Sequence, residues 1–272
     1  MHDRISVNQI CFQSESLAVF LGHLRELGAR RASFLSTALL ADGAAQQVKA
    51  DLVGGDYSVE TIAHVFMAGG PISTSSADWQ APRETLARVI DIAGEIGARS
   101  IYLLTGGHGA LEWDEAAASF CEALSPCVER ARAADVQIMV ENASHIMADI
   151  HLAHSLADTI RLAEMAGVGV CIDVFGCWVE AGLRDLIPRA LQHSRVVQLS
   201  DYVYGDRSLP ARAVPGDGAI PLRRLVGWML EAGYDGPFDL ELLGPRIDAE
   251  GRVAAVRRAA DNVGAILTAC GV

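Results

Sequence analysis

One punctuation recurs along this chain: an amphipathic stretch, a glycine-containing turn, then a short run of apolar and β-branched residues. The clearest copies are Leu24-Arg25-Glu26-Leu27-Gly28-Ala29-Arg30, leading into residues 31–36, and Glu95-Ile96-Gly97-Ala98-Arg99, leading into residues 100–105. Weaker copies are Ala163-Glu164-Met165-Ala166-Gly167 and Leu230-Glu231-Ala232-Gly233-Tyr234. A glycine just past a helix end takes the left-handed cap, so each copy marks a helix handing over to a strand. Repetition of that unit makes the sheet parallel, because parallel neighbours need a crossover between them.

Spacing supplies the rest. Leu17, Phe20, Leu21 and Leu24; Leu86, Val89, Ile90 and Ala93; Leu222, Leu225, Val226 and Met229; and Val253, Val256, Ala260 and Val263 each follow helical periodicity, one buried face per surface helix. Strands are expected near residues 4–10, 31–36, 59–66, 100–105, 137–142, 168–173, 195–200 and 237–243. Eight βα units in 272 residues point to a single (β/α)8 TIM barrel, one domain over residues 1–272. The other parallel architecture, an open doubly wound sheet, would carry a dinucleotide fingerprint after its first strand, and no GxGxxG is there. The segments 38–57, 68–82 and 201–219 read as irregular and follow strands two, three and seven, on the face where barrels build active sites.

Asp and Glu outnumber Lys and Arg by 34 to 22, a net charge of −12, so nucleic acid and anionic membranes are not expected as partners. The N-terminus lacks a signal-peptide core and no apolar run is long enough to span a bilayer, which makes a cytoplasmic protein the expectation. Six scattered cysteines without a CxxC pair read as reduced thiols. A small-molecule substrate and a homo-oligomer complete the expected partners.

In a barrel, polar residues at the C-terminal ends of strands converge on one mouth. These are His64, His108, Glu141, Asn142, Asp173, Gln198 and Glu241. Carboxylates inside strand-like surroundings are costly unless a cation neutralises them. Three carboxylates with one amide oxygen form a hard donor set, suited to Mn2+ or Mg2+, with Co2+ or Zn2+ as alternatives. Phe66, Met67, Phe175, Trp178, Tyr202 and Tyr204 could wall the mouth, and Arg207, Arg212 and Arg246 could clamp an anionic group of a substrate.

The segments Val140-Glu141-Asn142, Cys171-Ile172-Asp173, residues 196–201 (VVQLSD), residues 215–218 (PGDG) and residues 233–242 (GYDGPFDLEL) together resemble the xylose isomerase-like barrel superfamily of sugar isomerases and epimerases. The resemblance implies one divalent metal on Glu141, Asp173, residue 198 and Glu241, with Glu141 and Glu241 also acting as an acid/base pair. The chain departs from the pattern twice: Gln198 stands where the family usually has histidine, and Gly176 where a substrate-contacting histidine is common. His64 and His108 match zinc-ligand positions of related DNA-repair endonucleases. The net charge and the missing histidine argue against that activity, leaving both histidines, with Trp178, Arg207 and Arg246, as substrate-contacting candidates.

The expected chemistry is proton abstraction beside a carbonyl of a sugar-like or hydroxylated molecule, giving an isomerase or epimerase. The alternatives are a lyase or dehydratase built on the same enolate, and a non-catalytic barrel that lost its standard metal site.

Overall fold

The computed structural model describes residues 1–55 and 57–272. Eight parallel strands close into a barrel in sequence order: β1 (Ile5–Asn8), β2 (Arg31–Leu35), β3 (Ser58–Val65), β4 (Ser100–Leu104), β5 (Gln137–Glu141), β6 (Gly169–Asp173), β7 (Val197–Leu199) and β8 (Phe238–Leu240). β8 closes onto β1 with Ile5 opposite Phe238 and Val7 opposite Leu240. All eight strands lie within a residue or three of their expected bounds. The glycine turns explain why: Gly28 and Gly97 cap their helices in the left-handed conformation at φ 62° and 69°.

Two apolar layers divide the strand residues by parity. Ile5, Val7, Phe34, Ile62, Ile101, Ile138, Ile172 and Phe238 face the surrounding helices in one continuous core. Ala63, Tyr102, Met139, Cys171 and Val196 form a separate cluster inside the barrel. Side chains two residues further along the same strands share that interior face. Glu141 follows Met139, Asp173 follows Cys171, Gln198 follows Val196, and Glu241 follows the interior Asp239, so the apolar plug is capped at its C-terminal end by acids. Beneath them Asp239 is fully buried, accepting from Ser33 Oγ at 2.8 Å and Asn8 Nδ2 at 2.7 Å.

The segment 38–57 departs from its irregular expectation. Helices cover Ser36–Leu39 and Ala44–Gly54, with Ala44, Ala45 and Val48 buried, while position 56 lies outside the described residues. The buried face of Ala44–Gly54 is two alanines and one valine, a helical stripe too weak to read. Residues 201–219 hold no helix or strand beyond an isolated bridge between Asp201 and Ala213. All six cysteines are free, and no helix among the described residues is long and apolar enough to cross a membrane.

Phe34 is fully buried and meets Phe20 edge-on at 5.4 Å, joining β2 to the helix Leu17–Leu27. Phe34→Ala is expected to lower stability by about 3–5 kcal/mol, read as a drop in the urea midpoint at unchanged slope.

Candidate active site at the barrel mouth

Glu141 ends β5, Asp173 ends β6 and Glu241 directly follows β8. One carboxylate oxygen from each lies within 4.8 Å of the others. All three are buried, between 2% and 5% exposed. Such a set is unstable without positive charge, and the chain supplies some of it itself. Arg212, from the segment after β7, points its guanidinium into the cluster. Nη1 and Nη2 donate to Asp173 Oδ1 and Oδ2 at 3.1 and 2.9 Å, a bidentate fork, and Nη1 also donates to Ser200 Oγ at 3.0 Å. Nη2 stands 3.0 Å from Glu241 Oε2 as an ion pair outside hydrogen-bond geometry, which leaves that buried oxygen without a hydrogen bond. No hydrogen bond to the Glu141 carboxylate is found among the described residues.

The electrostatics follow from this count of three acids to one base. Burial, then the charges of Glu241 and Asp173, holds the Glu141 carboxyl well above the usual range, with Arg212 opposing. Burial pushes Glu241 up to about 8 against the pull of Arg212. For Arg212 burial alone would weaken the proton's hold, but Asp173 and Glu241 outweigh it and keep the guanidinium charged. A net deficit of positive charge therefore remains. A hard cation with oxygen ligands fits that deficit, so the triad is a set that can hold a divalent ion.

Gln198 lies beside Asp173 and Asp239 in the strand register, fully buried. Its Oε1 accepts from the Cys171 thiol at 3.6 Å, and its Nε2 has no partner. A neutral amide with an unpartnered end is all that stands at the fourth position. Asn142 is not turned to the cluster. It brackets the β6 backbone, donating to Asp173 O at 2.8 Å and accepting from Asp173 N at 2.9 Å. That bracket requires glycine at position 176, where a Cβ would sit 2.7 Å from Asn142 Nδ2.

The other sequence candidates disperse. His64 falls on the helix-facing side of β3, 2.9 Å from Ser36 Oγ, with Nε2 unpartnered and its proton affinity lowered to about 4 by burial. His108 donates Nδ1–H to Leu111 O at 3.0 Å, which fixes a local turn. Phe66 packs edge-on against Phe120 at 5.7 Å in the outer core, away from the mouth. Phe175, Trp178, Tyr202 and Tyr204 do join, in a row of rings with centroids 6.0–6.3 Å apart. Arg212 lies over the inner end of this row, 4.7 Å from the Phe175 centroid. Arg207 donates to the Tyr202 hydroxyl at 2.6 Å, and Arg246, from the helix Pro245–Glu250, pairs with Asp206 at 2.7 Å; both arginines are exposed.

Asp201 had no assigned role in the sequence, yet it builds the loop that carries Arg212. Its Oδ1 accepts from the backbone N–H of Tyr202 and Ile220, and its Oδ2 from Gly216 and Gly218, all at 2.8–3.0 Å. Gly218 must be glycine, since a Cβ there would meet Tyr202 O at 2.3 Å. The signal was an Asp at a strand end followed by PGDG. Asp201→Asn turns one acceptor oxygen into a donor facing two N–H groups and is expected to cost about 2–3 kcal/mol in urea denaturation.

The model of the xylose isomerase-like TIM barrel family matches residues 26–263. Comparison with curated protein sequences gave no match. Among solved structures, the IolI protein with a bound zinc atom superposes with a TM-score of 0.83 at 13% identity, covering 98% of both chains. D-Psicose 3-epimerase with D-tagatose from Clostridium cellulolyticum H10 gives 0.76 at 14%, covering 98% of both. The probable 3-DHS dehydratase AsbF from Bacillus anthracis gives 0.72 at 12%, covering 94% of this chain and 98% of that one. At these identities the likeness is one of fold. With the family model spanning most of the sequence, the chain belongs to the xylose isomerase-like TIM barrel family.

Proposed function

We propose that this chain is a divalent-metal-dependent isomerase or epimerase acting on a sugar-like or hydroxylated small molecule. The observation that carries the reading is the convergence of Glu141, Asp173 and Glu241, buried and within 4.8 Å, on one end of the barrel. In this reading these three hold the ion, and Gln198 can join them only by turning its amide oxygen away from Cys171. Mn2+ or Mg2+ suits the oxygen set best, with Co2+ or Zn2+ as alternatives. When bound, the ion supplies polarisation of a carbonyl and its neighbouring hydroxyl.

The chain's own groups supply the proton movement. Glu141 and Glu241 come from β5 and β8, on different parts of the barrel rim, so a substrate between them presents two faces to two carboxylates. One takes the proton beside the carbonyl, and the other returns one. Return to the same carbon is epimerisation, and return to the neighbouring carbon is aldose–ketose isomerisation. Expulsion of a β-leaving group would make the same site a lyase. The aromatic row from Phe175 to Tyr204 gives the substrate an apolar edge to lie against.

A second reading, a non-catalytic barrel, is favoured by two features of the site: Gln198 where the family pattern usually has histidine, and a guanidinium already on the acids. The two separate in one experiment. After reconstitution with excess Mn2+, elemental analysis is expected to find about one ion per chain, falling sharply in Glu141→Gln and Glu241→Gln. Solvent deuterium is expected to enter α-hydroxyketones in the wild type and to slow by roughly 10²-fold or more in either variant. No ion and no exchange in the wild type would establish the non-catalytic barrel.

A further inference from the structure

Every oxygen that a cation would use on Asp173, and one of the two on Glu241, already faces Arg212 at 2.9–3.1 Å. A hard divalent ion bonds oxygen at about 2.0–2.1 Å, so one placed on Asp173 Oδ2 or Glu241 Oε2 would stand within about 5 Å of Arg212 Nη2. Two positive centres that close, in a site only 2–8% exposed, repel with little screening. The guanidinium also occupies space between the acids and the Phe175 ring, stacked 4.7 Å from the ring centroid. The backbone of the next residue, Ala213, exchanges two hydrogen bonds with Asp201 at 2.8 and 2.9 Å, so the chain is pinned at this point and any withdrawal of the guanidinium from Asp173 and Ser200 has to come from rotation of the Arg212 side chain itself.

We propose that Arg212 is a built-in occupant of the carboxylate cluster and that a divalent cation enters only by displacing its guanidinium, so that Arg212 sets the metal affinity of this site. The proposal rests on the metal-site reading above and adds to it a competitor carried by the chain itself. The neutral Gln198 fits such an arrangement, because a site of three carboxylates and a weakly donating amide holds an ion less firmly than one with an imidazole, and a guanidinium can then compete. A displaced Arg212 remains beside the aromatic row, on the side from which a substrate arrives, where it can meet an anionic or carbonyl oxygen. Metal entry and the presentation of a cation to substrate are then one event.

The test is Mn2+ titration, with free ion followed by electron paramagnetic resonance, on the wild type, Arg212→Met, Arg212→Lys and Glu241→Gln. Arg212→Met keeps length and apolar volume but removes the competitor, and is expected to bind Mn2+ roughly 10-fold or more tightly than the wild type. Arg212→Lys keeps the charge and should stay close to the wild type. Equal Mn2+ affinity in Arg212→Met and the wild type, with binding lost in Glu241→Gln, would overturn the competition while leaving the metal site standing. No binding in any of the proteins would overturn both. A wild-type measurement guards against a poorly folded variant: in arginine-15N-labelled protein, the Arg212 side-chain signals, assigned by their loss in Arg212→Lys, should move as Mg2+ fills the site. Signals that stay fixed while Mg2+ binds would contradict the displacement.

Discussion

Three carboxylates held together out of water need positive charge, and the upper half of this barrel is arranged around that need. Breaking a buried pair commonly costs about 3–5 kcal/mol, because the remaining charge has no partner. Asp173 therefore depends on the Arg212 fork, and Arg212 depends on the loop that delivers it. That loop depends on Asp201, whose two oxygens gather four backbone N–H groups. Below the acids, Tyr102, Met139, Cys171 and Val196 seal the barrel axis, so the charge cannot be relieved by water from the opposite end. One guanidinium among three carboxylates leaves the balance short, and the shortfall is what makes a cation site chemically reasonable here.

The same layout fixes what the mouth can do. Acids from β5, β6 and β8 surround the axis, and the aromatic row from Phe175 to Tyr204 rises from the segments after β6 and β7. In the proposed function, polar groups would meet the reacting end of a substrate, and flat apolar surface its remainder. A groove of about 760 Å3 lies elsewhere, lined by Asp201, Trp228 and Cys270 among others, and touches none of the three acids. The proposed site is therefore marked by convergent buried charge and not by volume.

Much of this architecture was legible in the sequence. Glycine caps such as Gly28 and Gly97 and apolar runs such as Ser100–Leu104 are local signals, and local signals placed all eight strands. Strand ends then put Glu141, Asp173 and Glu241 on one rim because topology, not loop detail, positions them. What escaped was set by distant contacts. Nothing near Arg212 in the sequence says that it reaches back 39 residues to Asp173 rather than out to solvent with Arg207. His64 sits at a strand end like the acids, but strand parity turned it toward Ser36 and the helices. Phe66 had the right residue type for a mouth wall and the wrong side of the barrel wall, against Phe120.

The central claim, a cation site whose oxygens Arg212 holds until an ion arrives, is tested most directly by anomalous diffraction from crystals grown with Mn2+. The account predicts one strong manganese peak bounded by Glu141, Asp173 and Glu241, with the Arg212 guanidinium withdrawn from Asp173. A peak at the triad with the bidentate Arg212–Asp173 fork intact, or no peak there at millimolar Mn2+, would contradict it.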